Sequence, residues 1–138
     1  MNITNIWFSF NGRINRAKYW FVTVTNWLVG VALFMVAVAS QSWALGILTS
    51  LLFVPILISS TAAAVKRLHD REKSAWWLLV FYLLPAALGA LGNAWGDAGI
   101  ALLVASVAIS VWALVELGCL RGTAGENPYG PDPLEGRG

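Results

Sequence analysis

Long uncharged runs alternate with short basic ones along this chain. No charged residue occurs between positions 19 and 65, between 74 and 96, or between 98 and 115. A helix that crosses a bilayer needs about 20 mostly apolar residues, so the pattern predicts four such helices. They fall near residues 19–39, 43–65, 75–95 and 98–117. The expected fold class is an all-α membrane protein. It forms a single four-span domain over residues 1–138, with 118–138 as a glycine- and proline-rich irregular tail. Ahead of the first span, Ile3, Ile6, Trp7, Phe10 and Ile14 recur at helical spacing, with Asn2, Asn5, Ser9 and Arg13 opposite. That spacing predicts a short N-terminal amphipathic helix in the headgroup region, with Trp7 as its anchor.

Local signals refine these elements. Asn15 is the expected N-cap of the first span and Ser74 of the third. The first span ends in an A-x-A-like stretch, Ala37-Val38-Ala39. Its apolar run exceeds the roughly 7–15 residues of a signal-peptide core, so an uncleaved span is expected. Pro55 and Pro85 fall at the centres of the second and third spans and are expected to kink them. Ser59, Ser60 and Thr61 are placed to re-satisfy backbone groups freed near Pro55. Gly92 and Gly96 form a small-x-x-x-small pair of the kind that lets helices approach closely.

Composition agrees with the pattern. Of 138 residues, 58% are hydrophobic and 12% charged, against roughly 25% charged in a soluble domain. The net charge of +2 says little, but its distribution says much. Arg13, Arg16 and Lys18, then Lys66, Arg67, Arg71 and Lys73, then Arg121 and Arg137 all lie on one side of the four spans. The positive-inside rule therefore predicts that both termini are cytoplasmic. Basic residues spread over short segments make nucleic acid a poor partner. A single cysteine, Cys119, excludes an internal disulfide and a multi-cysteine metal site.

Chemistry is sparse. His69 adjoins Asp70, but neighbours on a helix point in different directions, and no second histidine or cysteine stands near to share a metal. The plain reading of Lys66 to Lys73 is an ion-pair network in the turn, with Asp70 in reach of Lys66 or Arg67. Arg13 and Arg16, three apart, can form one guanidinium face suited to phosphate, or serve topology alone. Asn26 is the one strongly polar side chain deep in a span, and an interhelical hydrogen bond is its simplest use. Phosphate loops, nucleophile elbows and zinc helices have no counterpart here, so no catalytic, cofactor or metal residue is assigned.

Three segments also carry a resemblance. They are Phe8-Ser9-Phe10-Asn11-Gly12-Arg13-Ile14-Asn15-Arg16-Ala17-Lys18-Tyr19-Trp20, then Lys66-Arg67-Leu68-His69-Asp70 with Ser74-Ala75-Trp76-Trp77, and Gly125-Glu126-Asn127-Pro128-Tyr129-Gly130-Pro131-Asp132-Pro133. In this order they resemble the bacterial inner-membrane family catalogued as domain of unknown function 805, the YhaH-like proteins. The family often has Ser-Gly-Trp-Trp at the second segment, where this chain has Ala75. The resemblance implies a small four-span protein of the bacterial cytoplasmic membrane and carries no activity with it. All three segments fall on the side that charge alone makes cytoplasmic. We therefore expect Arg13, Arg16, Arg67, Asp70, Asn127 and Tyr129, with His69 beside them, to form one cytoplasmic-face cluster under a folded-back tail. The functional expectation is a non-enzymatic, multi-pass inner-membrane protein. Its basic cluster would bind anionic lipid headgroups or a partner protein, and the chain would assemble as a homo-oligomer or with a membrane partner protein. The alternative is a small oligomeric transporter or channel, with Asn26, Pro55 and Pro85 along its path.

Overall fold

A computed structural model describes residues 3–135; Asn2 and Arg137 lie outside the described residues. The chain is an all-α membrane protein, with no β-strand among the described residues. Three helical stretches, Arg16–Ser40, Trp43–His69 and Gly96–Cys119, are long and apolar enough to cross a bilayer. A shorter apolar stretch, Leu79–Ala94, supplies the fourth.

Helix α1 (Ile3–Phe8) is shorter than the periodicity predicts. The chain leaves it and turns through Gly12, whose φ of +86° lies in the left-handed region that a side chain disfavours. What fixes α1 is a side chain from elsewhere: Lys66 Nζ donates to the carbonyls of Asn5 (2.7 Å) and Ile6 (2.6 Å). These belong to the carbonyls that a helix C-terminus leaves unpaired, and a cation there also suits the helix dipole. Trp7 packs edge-on against Phe21 of the next helix.

Helix α2 (Arg16–Ser40) begins at Asn15, whose side chain accepts from the Lys18 amide at 3.0 Å. Gln41 turns the chain in the left-handed conformation, and Ser42 caps helix α3 (Trp43–His69). Helix α3 passes through Pro55 without ending. The three hydroxyls beyond it do not serve the carbonyl that Pro55 frees. That carbonyl is four residues earlier, on Leu51, whereas hydroxyls in a helix reach back only one turn. Thr61 accordingly donates to Leu57, and Ser59 and Ser60 accept from Asn26 of α2.

The third span starts as turns, with Ser74 offering its backbone carbonyl to Trp77 (3.2 Å). It widens into a π-helical turn at Leu79–Leu83 and becomes helix α4 (Leu84–Ala94), with Pro85 in the first α-helical turn. A proline has no N–H to donate and crowds the preceding turn, which accounts for a break at this point. A 3₁₀ turn at Gly96–Gly99 leads into helix α5 (Ile100–Leu114), which closes on a second π-helical turn, Val115–Cys119.

Gly92 meets Gly99 rather than Gly96. A Cβ at Gly99 would collide with the Gly92 backbone, and one at Gly92 would sit 2.8 Å from Leu103. Gly96 instead holds a φ of +56° in the turn, and a Cβ there would meet nothing within 4 Å. The small face thus closes the α4–α5 hairpin within one chain. Gly99→Ala is expected to cost about 1–3 kcal/mol by overpacking. Gly46→Ala, where a Cβ meets nothing within 4 Å, should cost nothing. Unfolding titrations of the two variants check the difference.

Helix α2 packs on α3, and α4 on α5. Among the described residues, the two hairpins approach each other closely along their backbones only at the basic end, through Val115–Cys119. The core sits at that end. It joins Ile14, Tyr19 and Val22 to Ala63, Ala64, Leu68, Phe81, Ala113 and Leu117. Further along, the hairpins present large apolar side chains outward, such as Leu28, Leu51 and Val104, as a lipid-facing surface requires.

Candidate functional site

Asp70 follows the last turn of α3, and its carboxylate stands between two arginines from distant parts of the chain. Arg13, from the segment before α2, donates Nε to Asp70 Oδ1 at 3.1 Å, with Nη2 also at 3.1 Å. Arg67, one turn earlier on α3, pairs through Nη1 with Asp70 Oδ2. All three side chains are at most 4% exposed. Two buried guanidinium groups against one carboxylate leave an excess positive charge, and main-chain oxygens meet it. Arg13 Nη1 donates to the carbonyls of Gly125 (2.7 Å) and Gly130 (3.2 Å), and its Nη2 to that of Thr123. Arg67 Nε donates to Leu117 O at 2.8 Å, and its Nη2 to Leu120 O.

These acceptors explain why arginine occupies both positions. Leu117 and Leu120 lie where the last span ends, in the turn whose carbonyls have no helical partner. The carbonyls of Thr123, Gly125 and Gly130 belong to an irregular loop that cannot pair them in a ladder. A guanidinium group offers five N–H donors in a fixed fork. Arg13 makes four hydrogen bonds, one to the carboxylate and three to main-chain carbonyls, and its Nη2 also lies 3.1 Å from Asp70 Oδ1. Gly122 leaves room for the arrangement, since a Cβ there would collide with the Asp70 carboxylate. Burial pushes the Asp70 carboxyl up from the usual carboxylate range, and the charges of Arg67 and Arg13 oppose that push.

The tail folds back over the same point. The Thr123 amide donates to Asp70 O at 2.8 Å, and Asn127 Nδ2 to His69 O at 2.9 Å. Asn127 and Gly130 exchange backbone hydrogen bonds, while Asn127 Oδ1 accepts from the Tyr129 amide. The Tyr129 ring then stacks on His69, with centroids 4.0 Å apart and planes 5° from parallel. His69 Nδ1 lies 3.3 Å from Gly12 O, so this ring nitrogen is engaged there rather than with the Asp70 carboxylate. Arg13, Arg67, His69, Asp70, Asn127 and Tyr129 thus come together. Arg16 stands apart: it is exposed and donates to Cys119 O at 2.9 Å. Arg13 and Arg16 therefore share no guanidinium face, because the first is consumed inside the clamp and the second points outward.

A second ion-pair group lies beside this clamp. Glu116, 5% exposed, accepts from Arg71 at 3.1 Å and has Lys73 Nζ at 3.6 Å. No motif or spacing in the sequence assigns a partner to Glu116, Gly122 or Thr123. The one available signal for Glu116 was its isolation as the sole carboxylate of the last span, opposite a turn with surplus cations. Lys66 was read as a partner for Asp70 and caps α1 instead.

Chemically, the clamp holds two distant parts of the chain together and engages all three nitrogens of the Arg13 guanidinium group. Among the described residues no three His, Cys, Asp or Glu side chains gather as a metal site would require. Arg16 and Arg121 are exposed and border one small polar pocket of about 40 Å³, whose wall also includes Arg67 and Asp70 of the clamp, Thr123 and Asp132. The Asp132 carboxylate is occupied by the amides of Gly125 (3.1 Å) and Leu134 (2.9 Å). Within the membrane, cavities of about 540 and 430 Å³ share Tyr19 and Tyr82 as lining residues. Asn26 borders the larger and Pro85 the smaller, whereas Pro55 is exposed and borders neither.

Comparison with known proteins finds relatives along nearly the whole chain, two of them named as inner membrane proteins. The chain is 36% identical over 137 residues to the Escherichia coli protein named "Uncharacterized protein YiiR", covering 96% of this chain and 90% of that one. It is 28% identical over 127 residues to the E. coli inner membrane protein YhaH, covering 90% and 86% of the two chains. With the inner membrane protein YhaI the identity is 29% over 136 residues, covering 99% and 95%. No solved structure matches the chain. The family model described as "Protein of unknown function (DUF805)" matches residues 7–131, a span that contains every residue of the clamp from Arg13 to Gly130, and the chain belongs to that family.

Proposed function

We propose that this is a non-enzymatic, multi-pass protein of the inner membrane with cytoplasmic termini, and that its cytoplasmic face takes anionic lipid headgroups. The observation that carries this reading is a division of labour among the cations. Arg13 and Arg67 are spent inside the clamp, while Arg16 and Arg121 stay exposed around one polar pocket. An arginine fork held at the level of the headgroups suits phosphate oxygens. The clamp, in this view, is the rigid mount that keeps Arg121 and the tail at the membrane surface. The inner-membrane relatives support the location, and the one-sided distribution of basic residues supports the orientation.

Native mass spectrometry of protein released from mixed bilayers tests the reading. Wild-type protein is expected to retain phosphatidylglycerol over phosphatidylethanolamine. Arg16→Gln with Arg121→Gln is expected to reduce that preference about tenfold, the effect of losing roughly 1.4 kcal/mol. Equal retention by the wild type and the double variant would overturn the assignment. Inorganic phosphate that displaces the bound lipid would move it to a soluble anion.

A further inference from the structure

The two helical hairpins meet at the basic end and leave a cleft beyond it. Three cavities open into this cleft, of about 540, 430 and 190 Å³, and Tyr82 lines all of them. Ligand pockets typically measure about 300–1,000 Å³. No Asp, Glu, Lys, Arg or His lines any of the three. An ion would find no counter-charge here, and leaving a charge unpaired in the bilayer is costly.

The larger cavity has a polar end and an apolar body. Asn26 is 7% exposed and lies ten residues beyond Arg16 on α2, which is about 15 Å along the helix, or half of the hydrocarbon thickness. Its amide donates to Ser59 Oγ (3.1 Å) and Ser60 Oγ (2.9 Å). Both amide hydrogens are therefore spent, and the side-chain carbonyl keeps its accepting capacity. Among the described residues no sealed side-chain polar atom lacks a partner, and Asn26 borders the cavity, so this oxygen opens into it. Ser60 brings a hydroxyl to the same end, and Tyr19 and Tyr82 line the cavity with two more. Trp27, Phe34 and Phe53 line the body. A hydrogen-bond acceptor at this depth, with hydroxyls beside it and aromatic walls beyond, matches a guest of one kind.

We infer that the cleft between the hairpins binds a neutral amphiphile from the bilayer, its hydroxylated head on Asn26, Ser60 and Tyr82 and its hydrocarbon body along Trp27, Phe34 and Phe53. The inference is independent of the headgroup site, which lies at the membrane surface and uses different residues. It also gives Asn26 a use beyond joining α2 to α3.

A photoreactive monoacylglycerol tests it. The protein in phosphatidylethanolamine–phosphatidylglycerol nanodiscs is titrated with a diazirine-bearing monoacylglycerol, irradiated and mapped by peptide mass spectrometry. Labelling is expected to saturate, to concentrate on the peptides that carry Asn26, Ser60 and Tyr82, and to be displaced by unlabelled monoolein. Tyr82→Phe removes one hydroxyl and keeps the ring, and is expected to raise the half-saturating concentration about tenfold, the effect of roughly 1.4 kcal/mol. Asn26→Leu is expected to raise it at least as much. Labelling that never saturates, spreads evenly over the lipid-facing helices, or is unmoved by Tyr82→Phe would overturn the inference, because ordinary acyl chains would then account for the occupancy. Should Asn26→Leu fail to fold, the Tyr82→Phe titration decides alone.

Discussion

Asp70→Ala is expected to destabilise the protein by about 3–5 kcal/mol, as when one partner of a buried ion pair is removed. The variant leaves the guanidinium groups of Arg13 and Arg67 buried with no carboxylate between them. Carbonyl oxygens still accept from both arginines, but dipoles do not replace a full charge in a site this dry. Asp70→Asn keeps the shape and removes only the charge, so it separates electrostatics from packing. It should recover little, since its amide group would turn hydrogens toward one guanidinium. Unfolding in a graded denaturing detergent gives the measurement. A change below about 1 kcal/mol, the scale of an exposed pair, would sink the view that Asp70 holds the basic end together.

The second large effect separates the tail from the bundle. Arg13→Lys keeps a positive charge near Asp70 but offers three donors from one point instead of five in a fork. Contacts to the carbonyls of Thr123, Gly125 and Gly130 cannot all be kept. Hydrogen bonds to charged groups contribute about 1.5–3 kcal/mol each, so losing two should free the tail almost completely. Cleavage after the exposed Glu126 is then expected to accelerate at least about tenfold, since each 1.4 kcal/mol of lost docking multiplies the open population by ten. The α4–α5 hairpin should stay folded, because its contact at Gly92 and Gly99 is remote from Arg13. Unchanged protection of the tail would show that the Asn127, Tyr129 and Thr123 contacts hold it without Arg13. Asp70→Ala and Arg13→Lys thus predict different patterns: the first weakens the whole basic end, the second only the tail.

The spans were legible because the bilayer leaves the backbone few options. In hydrocarbon every N–H and C=O must be satisfied internally, so a charge-free run of sufficient length is a helix whatever its neighbours do. Asn15 was legible for a similar reason, since a cap answers to its own first turn. The widening of the third span at Leu79–Leu83 was not, because Pro85 indicates a break without specifying the turn that absorbs it. The Gly92–Gly96 spacing suggested a close approach of another helix without naming its partner. The partner is Gly99, since the 3₁₀ turn at Gly96–Gly99 brings α5 back onto α4 at that height.

At the basic end the limits are different. Arg13 and Arg16 look alike in the sequence, three residues apart in a polar segment. One is buried at the centre of the clamp and the other points outward. What separates them is the position of the Asp70 carboxylate and of the carbonyl oxygens on Thr123, Gly125 and Gly130, all of which accept from Arg13. Backbone acceptors carry no residue-type signature, so no pattern in the chain announces where an arginine will be consumed. Gly122 is similar, since its lack of a side chain matters only once the Asp70 carboxylate lies against it.

The sequence by itself therefore determined the solvent, the number of helical segments and the side on which the cations gather. Each follows from the cost of placing charge or unpaired backbone in hydrocarbon, a cost paid locally, residue by residue. Only the tertiary structure decided which arginines lock the tail, where the two hairpins part, and that Asn26 and Tyr82 face a shared intramembrane cleft. Those outcomes depend on distances between groups 50 to more than 100 positions apart in the chain, as with Arg67 and Leu117 or Arg13 and Gly125. They are set when the helices pack and the orphan carbonyls at their ends find donors.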